Sequence, residues 1–123
     1  MVCLSAGGKY FMTVHTSSAR SKILAQLRTL RTSLADAREA LMHFKADRVD
    51  RDKLEPAARR VDDLMNLFAG ASGDRTQSAS WVAEIQSGVE QVTNPKASVA
   101  LRRAQVDIAT LRETMAAHEA AVN

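Results

Sequence analysis

The sequence predicts an all-α fold: an antiparallel four-helix bundle with two long outer helices and a flexible or loosely docked N-terminal tail. Three observations carry that expectation. In "ILAQLRTLRTSLADAREALMHF", residues 23–44, the residues Ile23, Leu27, Leu30, Leu34, Ala37, Leu41 and Phe44 fall alternately four and three apart, which is the period of one apolar helix face. Ala97, Leu101, Ala104, Ile108, Leu111, Met115, His118 and Val122 repeat the alternation later in the chain. Aromatic residues make up 4% of the 123 residues although hydrophobic residues reach 46%. Burial therefore falls to Leu, Ile, Val, Met and Ala, which suits close helix packing better than a sheet.

Residues 1–16 lack the period of the rest of the chain, and their "YFMTV" has no second strand to pair with. A tail is expected there, followed by a single helical domain over 17–123. The first helix is expected over 17–46, opened by Ser17 or Ser18 as a cap, with its end blurred by the charged run "KADRVDRD". The second is expected over 52–69. Asp52 with Glu55 forms a capping-box pattern, and Pro56 falls in the first turn, where its missing N–H costs little. Leu54, Ala58, Val61, Leu64, Met65 and Phe68 supply its apolar face as far as Gly70.

"GASGDRTQSAS" is a loop by composition. Asp74 and Gln77 offer a cap for a third helix over 75–92, whose inner row is Trp81 or Val82, then Ile85, Val89 and Val92. That helix stops at "TNP", and Asn94 and Pro95 form a cap and first-turn pair for the fourth, 95–121. Leu24 and Ala40 beside the first stripe, and Ala100 and Ala121 beside the last, widen the apolar face beyond the seam of a two-stranded coiled coil. The first stripe is thus expected to pack on the last helix, with the two shorter helices completing the bundle. The long helices outrun the short ones, so a homodimer covering the excess is expected as one option.

Composition narrows the function. Net charge is +3, from 17 Lys and Arg against 14 Asp and Glu, a surplus too small to establish a nucleic-acid partner even with a pI near 9.4. Cys3 is the single cysteine, so neither an internal disulfide nor a thiolate metal cluster can form. No stretch approaches the roughly 18 apolar residues of a membrane span, and the opening residues lack a secretory pattern. A cytoplasmic location is the default expectation. The Ala- and Arg-rich usage is associated with GC-rich bacterial or phage genomes.

The strongest candidate surface is basic. Arg20, Arg31, Arg38 and Lys45 project to one flank of the first helix at 100° per residue, with Lys22 and Arg28 nearby and Arg75 at the tip of the Gly-Ser loop. Arg20, Arg28, Arg31, Arg38, Lys45 and Arg75 are the expected contacts for an acidic protein surface. The plainer alternative is a solvated flank pairing with Asp107 and Glu119 of the last helix. Nucleic-acid binding by the same face ranks second. "SASWVAEIQSG" loosely suggests a recognition helix, but the segment 78–92 carries Glu84 and Glu90 and no Lys or Arg.

Other chemistries fail on residue type or spacing. Glu39, His43 and Asp47, with Asp36 close by, form a row of metal-ligand types, yet on a wet face without supporting partners. "DRVDRDKLEPAA" misses the calcium-loop register, since Leu54 falls where an oxygen is required. "GASGDRT" lacks the Lys and preceding strand of a phosphate loop. Cys3, His15, His43 and His118 are not joined into a nucleophile–base arrangement, so no enzyme activity, cofactor or metal is expected. Trp81 is read as a core anchor, with an exposed partner anchor as the alternative. The function expected is a small non-enzymatic interaction protein: an adaptor, inhibitor or regulatory subunit. A structural homo-oligomer is a further alternative.

Overall fold

Each stripe read from the sequence becomes the buried edge of a helix. The computed structural model describes residues 2–70 and 75–122, with side chains described over 19–70 and 76–118. Among the described residues five α-helices succeed one another: α1 (Val2–Ala40), α2 (Arg48–Lys53), α3 (Glu55–Ala69), α4 (Ser78–Glu90) and α5 (Ser98–Val122). Short 3-10 turns at Lys45–Asp47, Arg75–Gln77 and Pro95–Ala97 precede α2, α4 and α5. Every regular element among the described residues is helical. The helix expected to open at Ser17 or Ser18 instead starts at Val2, so residues 2–16, expected as a tail, fall within α1; their side chains lie outside those described.

α1 packs on α5 and α3, α3 packs on α4, and α4 returns to α5, closing a four-cornered all-α bundle. Ile23, Leu27, Leu30, Leu34, Ala37 and Leu41 of the first stripe are all buried, and so are Ala97 through His118 of the last. Each large apolar side chain sealed in this way contributes about 1.5–3 kcal/mol. Leu24 and Ala40 pack against the core as the broadened face requires. Partners fall in register between α1 and α5: Ser33 Oγ donates to Asp107 at 2.7 Å, and Arg103 meets Asp36 at 3.0 Å.

The first helix ends sooner than its period suggests. Leu41 and Met42 N–H groups donate to the carbonyls of Arg38 and Glu39 at 3.1 Å, an i−3 pattern that tightens the last turn and closes the helix. Phe44 then turns extended (φ −125°, ψ 140°) and stands 61% exposed, although its spacing puts it on the buried stripe. The charged run beyond it folds as α2 instead of continuing α1.

Asp52 consequently lies inside α2, beside Arg51, and caps nothing. The residue before α3 is Leu54, which has no side-chain cap, so the capping box is not formed. Pro56 does occupy the first turn of α3, where a proline N–H is not missed. Ala57 joins the core while Ala58 is half-buried. The reason is Gly88 of α4, where an added Cβ would come within 3.2 Å of the Ala57 Cβ: two small residues let α3 and α4 approach closely.

α4 begins after a 3-10 turn, and Gln77 contributes no side-chain cap; Asp74 lies outside the described residues. α4 ends at Glu90, yet Val92 beyond it is still buried. Asn94 behaves as expected: extended at φ −64°, ψ 123°, its side chain accepts from the Lys96 N–H and opens the turn that leads into α5. No described helix is long and apolar enough to cross a membrane.

Candidate functional site

The expected basic row is divided by the structure. Arg31 lies 3.6 Å from Asp62, and Arg38 lies 3.3 Å from Glu55. Both carboxylates belong to α3, not to the last helix, because α3 covers that flank of α1. Such half-exposed pairs contribute only about 0.2–1 kcal/mol each, but they occupy the two guanidinium groups. Lys45 leaves the row altogether, since α1 stops at Ala40 and Lys45 falls in the 3-10 turn before α2. Arg75 opens the turn before α4, and its side chain lies outside those described. Asp107, the expected acid, accepts from Ser33 instead, and the side chain of Glu119 is not among those described. Arg20 is half-buried on α1, and Arg28 is exposed.

The same early end of α1 breaks the Glu39–His43–Asp47 row. Among the described residues no three His, Cys, Asp or Glu side chains gather as metal ligands. Asp47 turns inward, its side chain 8% exposed, and meets Lys96 Nζ at 2.7 Å. Asn94 Nδ2 donates to Asp47 at 2.9 Å and to Asp50 at 3.1 Å, while Asn94 Oδ1 accepts from the Lys96 N–H at 3.0 Å. An amide alone supplies donor and acceptor together, so Asn94 both caps the turn into α5 and ties it to the segment after α1. Lys96 completes the clasp by lying 4.1 Å over the Phe44 ring, a cation–π contact. Sequence patterns do not reveal this cluster, because its members stand nearly fifty residues apart.

The hydrogen bond from Lys96, then that from Asn94, hold the Asp47 carboxyl below the usual carboxylate range. The folded protein therefore binds this proton less readily than the unfolded chain. Asp47 contributes its full stability above the ordinary value of 3.8 and loses it as pH falls through the depressed folded value. In acid titrations monitored by circular dichroism, the wild type should lose stability faster than Asp47→Asn below about pH 4. Parallel pH profiles for the two proteins would refute the assignment.

The seam between α1 and α5 carries a different surface. A groove of about 440 Å³ is lined by Thr29, Thr32 and Ser33 of α1 and by Arg102, Arg103, Val106 and Asp107 of α5. A second, of about 190 Å³, is lined by Lys22, Ala25, Gln26, Thr29, Asp107 and Thr110. They share Thr29 and Asp107 and so run on as one trough. Thr29, Thr32 and Thr110 donate their hydroxyls to carbonyls of their own helices at 3.0–3.1 Å, which leaves the walls less polar than the residue names suggest. Val99 and Val106, one heptad apart on α5, are 70% and 65% exposed. Lys22, Arg28 and Arg102 have no carboxylate within ion-pair reach among the described residues.

Trp81 is half-buried against the core, with the Arg60 guanidinium 5.2 Å above its ring. Arg60 also pairs with Asp63 and Glu84. His118 is buried on the α5 stripe, edge-on to Phe68 at 6.4 Å. Comparison of this chain with protein-family models, curated proteins and solved structures finds no match.

Proposed function

We propose that this chain works as a small non-enzymatic helical interaction protein, an adaptor, inhibitor or regulatory subunit that holds an acidic protein partner on its helix surfaces. The observation that carries the reading is a set of exposed cations without carboxylate partners among the described residues, Lys22, Arg28 and Arg102, beside the solvent-facing Val99 and Val106. Cations that the fold does not use, set next to apolar area, are what a partner of opposite charge recognises. Sequence-tolerant nucleic-acid binding by the basic face of α1 is less well supported, since Arg31 and Arg38 already hold Asp62 and Glu55.

Arg28→Glu combined with Arg102→Glu tests the proposal. The wild-type chain and the double variant are compared by quantitative crosslinking in the native host. An acidic protein should be retained by the wild type and lost by roughly tenfold in the variant, with an unchanged thermal midpoint. A mobility-shift series with random duplex DNA runs beside it. Retardation that collapses steeply with added salt is the mark of phosphate contacts and would transfer the assignment to nucleic acid.

A further inference from the structure

We infer that the α1–α5 trough is the seat for an amphipathic helix of the partner, apolar along its inner edge and acidic along both flanks. The inference rests on the interaction reading above and gives it a place and a ligand class.

Geometry selects a helix. Both walls are helices whose backbone groups are bonded internally, so an extended peptide would find no free strand edge to pair with. A helical ligand satisfies its own backbone and brings only side chains. On α1 the trough reaches from Lys22 to Ser33, roughly 17 Å at 1.5 Å per residue, or about three turns of a docked helix. Thr29 and Thr32 have spent their hydroxyls on Ala25 and Arg28 carbonyls, so this wall asks for few hydrogen bonds. Val106 forms the apolar side of the opposite wall.

Charge selects acidic flanks. Arg28 neighbours Ala25 and Thr32 at helical spacings of three and four, which sets it along the outer margin of α1. Arg102 lines the α5 wall, and Lys22 lies toward the far end. Asp107, the carboxylate in the lining, is engaged by Ser33. A second copy seated face to face would set these cations against one another, which argues for a foreign acidic helix over self-association.

Two other troughs among the described residues lack this combination. The one between α4 and α5 balances Glu90 against Arg112 and is lined further by Gln86 and Gln105. The one beside Met42 contains the Arg38–Glu55 pair, already closed.

The test is an amide NMR titration of the full chain with two synthetic helical probes of about 18 residues. Both carry Leu along one edge; one has Glu flanks and the other Lys flanks. The acidic probe should shift the amides of Thr29, Thr32, Arg102 and Val106, and the basic probe should bind at least about tenfold more weakly. Val106→Glu should weaken the acidic probe by a similar factor with the thermal midpoint unchanged. Shifts gathered at Met42–Val49 would overturn the seat while leaving the interaction reading in place. Shifts of the trough amides that track protein concentration without peptide would overturn it in favour of a second copy. No shift anywhere with either probe would overturn the seat and the interaction reading together.

Discussion

Leu30→Ala is expected to lower the free energy of unfolding by about 2–5 kcal/mol, whereas Phe44→Ala should cost about 1 kcal/mol or less. The two residues belong to one heptad series, so the periodic pattern alone would rank the phenylalanine as the worse loss, at about 3–5 kcal/mol. The structure reverses that order. Leu30 is completely buried, and truncation leaves a void that the bundle can fill only partly. Phe44 is 61% exposed and gives up chiefly its contact with Lys96. Urea denaturation of both variants checks this. An equal fall in midpoint at constant m would mean that α1 continues through Phe44.

Gly88→Leu should destabilise the bundle by about 1–3 kcal/mol through overpacking. Here a Cβ alone would sit 3.2 Å from the Ala57 Cβ and 3.7 Å from the Lys53 carbonyl oxygen. A leucine adds three further carbons on the side of α4 that faces α3. Gly88→Ala is the informative companion. Its gain of about 1 kcal/mol in helix propensity opposes the tight contact with Ala57, so its net change should be small. Pairing Gly88→Leu with Ala57→Gly ought to recover part of the loss, since the two sites share one contact. Strict additivity of the two changes would show that the helices do not meet at this point.

The buried rows are legible in the sequence because a helix face recurs at a fixed spacing, and Ile23 to Leu41 and Ala97 to His118 obey that spacing without interruption. The Asn94–Pro95 start is legible because cap chemistry is local. The end of α1 is not. Phe44 continues the period, and the residues beyond it are good helix formers, so the break emerges only with the contact that anchors Asp47 to Asn94 and Lys96. Asp52 and Glu55 have the spacing of a cap, but α2 absorbs Asp52.

Of the candidate surface, Arg28 is marked by the period and stays exposed in the fold. Arg31 and Arg38 are marked as well, but their acids lie on α3 and not on the last helix, because sequence period says which face is buried and not which neighbour covers it. Arg102 and Val106 escape notice for the complementary reason. Both lie on the polar side of α5, and a trough needs a second wall to exist.

The helix that seals the long apolar edge of α1 is the last of the five to be made. About sixty residues separate Leu41 from Leu101, so at roughly 5–20 residues per second that edge waits several seconds on the ribosome for its permanent cover. Only α3, synthesised sooner, shields part of it in the meantime. Newborn chains stalled before residue 98 should therefore be sticky intermediates that draw chaperones, whereas chains in which α5 has docked keep the α1 edge buried.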